Sequence, residues 1–259
     1  MIKSPSKLFT TLKIALLASI LTVASENSRA ADITFLCAAA LEPAMKELIP
    51  EFQKASGHNV KVSYAAIGDN VDRIRKGDAA DLAIVSPEQW DALQKEGKLS
   101  PGSRVVFAKV GIGVFVKKGA PRPDISSAEA FKRTFLNARS IAVSPGNNNP
   151  VWIYAVRLFD KLGITAELNA KNVIRDGGAS RQAVAKGDAE IGFTQISEVL
   201  AEPGVDFVGP LPAEIQNYTI YTAATPANAK EPGAAKALIE FLGSVQGLSI
   251  LKSKGLEPG

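Results

Sequence analysis

One histidine and one cysteine are all that 259 residues contain of those two types, and the scarcity removes several kinds of chemistry at once. Zinc and related transition-metal centres are built from clusters of His and Cys ligands, and none can be assembled from one of each. A disulfide needs two cysteines, so Cys37 has no partner within the chain. His58 lies in Ser56-Gly57-His58-Asn59, a turn between a helical and an extended segment. It reads as a solvated turn residue, whereas a Ser–His–Asp triad needs its histidine beside a nucleophile in a cleft. A phosphate-binding lysine loop is missing, and Gly111-Ile-Gly113 lacks the third glycine of a dinucleotide fingerprint. No cofactor and no metal are expected.

Long apolar runs are scarce too. Ile14 to Ala24 spans eleven residues, against the roughly 20 needed to cross a bilayer, and nothing later approaches that length. Lys3, Lys7 and Lys13 precede or open this run, and Ser28 and Ala30 place small residues at the −3 and −1 positions of a cleavage site. That is the pattern of a signal peptide, with cleavage expected between Ala30 and Ala31 and a periplasmic address. Cys37 lies too far past the run to be a lipid-bearing cysteine. Removing residues 1–30 takes four of the 30 basic and one of the 26 acidic side chains, so the formal charge falls from +4 to +1. A nearly neutral chain without a basic run carries no footprint for nucleic acid. Heptads, internal repeats and low-complexity tracts are also missing.

What is present is an alternation of short apolar, β-prone runs with helical ones. Residues 33–37 (ITFLC) read as a strand, and Glu42 to Lys54 has helical spacing at Met45, Leu48, Ile49 and Phe52. Residues 60–64 alternate like a half-buried strand. Asp69 to Lys76 follows as a short helix, Asp81 to Val85 as a strand and Pro87 to Glu96 as a helix. A second unit is expected to start near Val110, with strands at Gly111 to Lys117 and Ser140 to Val143, and helices at Ser126 to Leu136 and Pro150 to Leu162. Strands at 189–193, 205–208 and 217–224 and two closing helices, 233–242 and 245–254, complete the pattern. Such a rhythm predicts an α/β fold whose sheets are mostly parallel and flanked by helices.

Open α/β sheets bind ligands at the C-terminal ends of their strands, where four loops stand out. They are 37–41, 65–70, 144–150 and 175–181, and each leads into a helix. A helix N-terminus offers free N–H groups and a favourable dipole to an anion. Small residues such as Ala39, Gly68 and Gly178 permit close backbone approach. The alternative is plain capping, with Asp69 and Asn149 as N-caps and the glycines as turn residues.

The residues FLCAAALEPAMKEL (35–48), IRKGDAADLAIVS (74–86), NPVWIYAVRLFDKLG (149–163) and AVAKGDAEIGFTQISE (183–198) closely resemble the periplasmic molybdate-binding proteins of ABC importers. More broadly, they resemble the type II solute-binding proteins. The resemblance covers nearly all of the chain after residue 30. It implies a two-lobed fold, with lobe I formed by 31–110 plus 220–259 and lobe II by 111–219. It also implies a monomer that captures a small anionic ligand, an oxyanion or organic carboxylate, and passes it to a membrane permease and its ATPase.

With Ala39, Gly68, Asn149 and Arg181 from the loops above, the resemblance implies as ligand residues Ala40, Ile67, Val151, Gly177 or Gly178, and Gln195. Three of these depart from the family pattern. Ala40 and Ile67 stand where the family has serines, and Gln195 stands where it has a tyrosine. Each lost hydrogen bond to a charged ligand is worth about 1.5–3 kcal/mol, so weak molybdate and tungstate binding is expected. The stretches PDISS, QISE and PGVDFVGPLPAEIQ are similar to a branch of the same fold that includes periplasmic aconitate isomerase. That resemblance implies an alternative, cofactor-independent enzyme in which Arg181 or Arg175 clamps carboxylates and Asp69 is the base.

Overall fold

The computed structural model describes residues 30–174 and 180–259; residues 1–29 of the predicted signal peptide, together with Arg175, Gly177 and Gly178, lie outside them. The first half runs β1 (Asp32–Ala38), α1 (Glu42–Ser56), β2 (Asn59–Ala65), α2 (Ile67–Lys76), β3 (Leu82–Val85), α3 (Pro87–Lys95) and β4 (Val105–Lys117). Next come α4 (Ala128–Asn137), β5 (Ser140–Ala142), α5 (Pro150–Leu162), α6 (Thr165–Asn169) and β6 (Asn172–Ile174). The chain continues through α7 (Ser180–Lys186), β7 (Ile191–Gln195), α8 (Ile196–Leu200), β8 (Val205–Pro210) and β9 (Tyr218–Ala224). It closes with α9 (Pro232–Leu242), α10 (Val245–Ser253) and β10 (Glu257–Pro258).

The strands line up in the order β2-β1-β3-β9-β4-β7-β5-β6, with β8 and β10 also pairing with β4. The neighbours β2-β1-β3 are parallel, as are β6-β5-β7. The two sets are joined through antiparallel β9 and β4. β4 begins at Val105, six residues before the strand expected at Gly111. Its first half pairs with β9 from Val105 to Gly111, and its second half pairs with β7 from Ile112 to Val116. Two exposed valines, Val105 and Val106, open the strand, so no buried-face alternation announces it. Backbone pairing with β9 is what makes that segment extended.

Buried side chains gather on both sides of this switch. Phe35, Met45, Leu48, Leu82, Tyr221 and Leu238 belong to one cluster, and Val114, Phe131, Phe135, Leu158, Ile191 and Phe193 to another. In the second, Phe131 and Phe135 stack at 4.1 Å, and Phe193 meets both rings edge-on.

Two polar pins hold opposite ends of the β1–β3 pair, the first at the ligand-facing end and the second at the other. The Asn70 side-chain amide, fully buried, donates to the carbonyls of Leu36, Cys37 and Ile84 at 3.1 to 3.3 Å, fixing α2 beneath the ends of β1 and β3. Asp81, also buried, accepts from the backbone amides of Thr34, Lys230 and Glu231 at 2.8 to 2.9 Å, tying β3 to the chain entering α9. His58 is half-buried, and its Nδ1 accepts from the Ala31 amide at 3.1 Å. It therefore anchors the start of β1 rather than simply facing solvent.

Candidate functional site

A cavity of about 650 Å³ opens where the loops after β1, β2, β5 and β7 converge. That volume falls within the 300–1,000 Å³ typical of pockets for organic ligands. Six of the residues singled out from sequence line it, namely Ala39, Ala40, Ile67, Asn149, Arg181 and Gln195, and so does Asp69. Gly68 faces an adjoining pocket of about 320 Å³ that shares Ile67, Asn147, Asn148 and Pro150 with the first. Val151 is buried and outside both linings.

The wall built on β1 and α2 offers backbone. Ala66, the N-cap of α2, has no side-chain oxygen to cap the helix. Asp69 and Asn70 turn their amides back to the Ala66 carbonyl, whereas among the described residues those of Ile67 and Gly68 have no protein acceptor. The helix starts two residues earlier than its sequence suggests. Asp69 is therefore the third helical residue, not the cap, and its exposed carboxylate accepts from Asn148 Nδ2 at 2.6 Å. Ala40 contributes no hydroxyl, and its carbonyl accepts from the buried Ser197 hydroxyl at 2.7 Å. Gly68 is required for contact across the cavity mouth, because a Cβ there would lie 2.7 Å from Cβ of Asn148.

The facing wall, built on α5, α7 and the end of β7, offers side chains. Asn149 is the N-cap of α5, and its Oδ1 accepts from the amides of Val151 at 2.9 Å and Trp152 at 3.4 Å. The Val151 amide expected to hold a ligand is therefore occupied by a neighbouring side chain. Arg181 Nη1 pairs with Glu198 Oε1 at 3.0 Å, both side chains about one-fifth exposed. Glu198 Oε2 accepts from the Thr194 hydroxyl at 2.7 Å. Gln195 is buried and donates through Nε2 to Thr219 Oγ1 at 2.9 Å.

Sequence reasoning missed Thr194, Glu198, Tyr64 and Tyr221, all of which line the cavity. Thr194 and Glu198 flank Gln195 at the C-terminal end of β7, where a ligand-facing turn was expected, so their position was a usable signal. The tyrosines sit in alternating strands, and alternation alone does not tell which face meets a cavity. Burial raises the pKa of the Tyr64 phenol, with Cys37 and Glu42 adding to the effect. Burial also pushes the Tyr221 phenol well above its ordinary value, and the Glu198 charge adds to that. Gln195 opposes the shift, but its amide is directed at Thr219, and the Tyr221 hydroxyl has no hydrogen-bond partner among the described residues.

This arrangement of two walls around an anion-compatible cleft accompanies a clear family relationship. The chain belongs to the bacterial extracellular solute-binding proteins, whose family pattern matches residues 33–257. It is 31% identical over 232 residues to an aconitate isomerase from a Pseudomonas species, covering 87% of each chain. It is 27% identical over 250 residues to a molybdate-binding protein of Azotobacter vinelandii, covering 94% of this chain and 96% of that one. The solved structure of the periplasmic molybdate-binding protein of Azotobacter vinelandii superimposes with a TM-score of 0.72 at 20% identity, over 86% of this chain and 98% of that one. The fold is the two-lobed α/β fold of periplasmic binding proteins.

Proposed function

We propose that this chain is an exported, monomeric solute-binding protein that captures a small organic carboxylate between two lobes and delivers it to an ABC permease and ATPase. The observation that carries the reading is the cavity itself. It combines unpartnered backbone amides at the start of α2 with the Arg181 guanidinium on the opposite wall. The lobes are residues 31–110 with 220–259, and 111–219. Support for these limits comes from the change of β4 partners at Gly111 and Ile112, and from buried clusters that draw on 31–110 with 221–256 and on 112–215 respectively. The signal peptide ends at Ala30, a reading supported by the sequence pattern and by the extracellular character of the family.

Molybdate is disfavoured as the ligand. Ala40, Ile67 and Gln195 replace hydroxyl-bearing residues of the molybdate-binding pattern, and the Val151 amide is already engaged by Asn149. A compact tetrahedral dianion depends on many convergent donors, whereas an elongated carboxylate can lay an apolar stem along Ile67. The 31% identity to an aconitate isomerase favours a second reading, an isomerase on the same cleft. One assay separates the two. Purified protein is incubated with cis- or trans-aconitate, and the isomers are followed by chromatography alongside calorimetric titration. Saturable binding without turnover supports a transport component; catalytic interconversion supports the enzyme.

A further inference from the structure

Tyr221 is a buried group that the reading above leaves unused. It is 1% exposed, it borders the cavity, and its hydroxyl has no partner among the described residues. A buried polar atom left unsatisfied is destabilising, and such atoms are uncommon in native structures. A ligand oxygen in the cavity would satisfy it. The surroundings limit what that oxygen belongs to. Glu198 lines the same cavity.

Charge narrows the choice further. Among the described residues, the acidic and basic side chains lining the cavity are Asp69, Glu198 and Arg181, and Arg181 is already paired with Glu198. A carboxylate has about four acceptor sites and no proton to give. Glu198 uses one oxygen for Arg181 and the other for Thr194, and its spare lone pairs repel any ligand that brings only acceptors. A hydroxyl resolves both problems, since it donates to Glu198 and accepts from Tyr221. An ammonium group donates but accepts nothing, and would leave the phenol proton unmatched.

Resting on the carboxylate reading, we propose that Tyr221 and Glu198 form a hydroxyl-recognition subsite, so that the preferred ligand is a hydroxycarboxylate. Its carboxylate lies on the remaining donors of Arg181 and the Ile67 amide.

The test compares malate, succinate and aspartate, which differ at one substituent, together with molybdate, by calorimetry on the mature protein. Malate is expected to bind tighter than succinate by about tenfold, the worth of one hydrogen bond to a charged or well-placed group. Tyr221→Phe and Glu198→Gln should each erase that preference. Tyr221→Phe should do so without lowering the melting temperature, because it removes only an unsatisfied hydroxyl. Equal binding of malate and succinate by the wild type overturns the subsite yet leaves the carboxylate reading standing. So does a preference for aspartate, or a malate preference that survives both substitutions. Molybdate binding with no carboxylate bound overturns the subsite and the carboxylate reading together, leaving only an anion site. No binding of any of the four probes overturns the anion reading as well.

Discussion

The two walls of the cavity solve the same problem with different materials. On the β1–α2 side, Ala66 leaves the start of α2 without a side-chain cap, and bare amides face the cleft. On the α5–β7 side, Asn149 caps α5, and Arg181 is held by Glu198. A capped helix end spends its donors on its own stability, whereas an uncapped one keeps them for a ligand. Under the proposed carboxylate reading, the first wall supplies fixed anion contacts and the second adjustable, side-chain ones. Elsewhere the helices divide: α3, α4, α5 and α10 carry side-chain caps, whereas α1, α6, α8 and α9 have none. Ser86 and Gln89 form a reciprocal capping box at the start of α3.

The largest effect should come from dismantling the side-chain wall. Arg181→Ala is expected to weaken carboxylate binding by about 1.5–3 kcal/mol, read by calorimetry. It should also lower stability, because it strips Glu198 of its counter-charge in a largely buried setting. If affinity stayed within a factor of two, the second wall would carry no ligand contact and the comparison would fail.

Ala66→Ser addresses the other wall. The φ of −64° and ψ of 146° at Ala66 suit a capping serine, so the substitution should stabilise the protein by about 0.5–1 kcal/mol while weakening anion binding, since the hydroxyl would compete for the amides. Chemical denaturation and calorimetry on one preparation would report both signs. A gain in stability with no loss of binding would mean that the α2 amides do not serve the ligand. The mirror experiment is Asn149→Ala, which frees the buried Val151 amide and is expected to cost about 1 kcal/mol of stability.

The smallest effect concerns acid stability at the fully capped end. The Ser86 hydroxyl donates to Glu88 at 2.7 Å and, with the Glu88 backbone amide, holds that carboxyl below its ordinary value. A depressed folded-state pKa contributes stability that is fully present above the unfolded value, about 4.3 for glutamate, and is lost as pH falls through the folded value. Ser86→Ala should therefore flatten part of the fall in melting temperature below about pH 4.3, beyond the pH-independent cost of the lost cap. Profiles of melting temperature that stay parallel for variant and wild type from pH 6 to about pH 3 would mean that the Ser86–Glu88 contact adds nothing to acid stability.

Local patterns were enough to read much of this. Strand and helix alternation follows from side-chain periodicity, which is a property of neighbouring residues. Asn149 before Pro150 declared its helix start for the same reason, and the loops after β1, β2 and β5 were located by the strands preceding them. Sequence alone thus determined the α/β class and most of the residues at the cleft. Tertiary structure decided what those residues are free to do. Arg181 was visible as a cation, but its pairing with Glu198 depends on how α7 lies against α8. Tyr221, from a different strand, reaches the cavity that Glu198 also lines, and Asn148 reaches Asp69 from 79 positions away. The first half of β4 became a strand only because β9 pairs with it. Whether a hydrogen-bonding group is spent or available depends on contacts between segments distant in the chain, and periodicity carries no record of them.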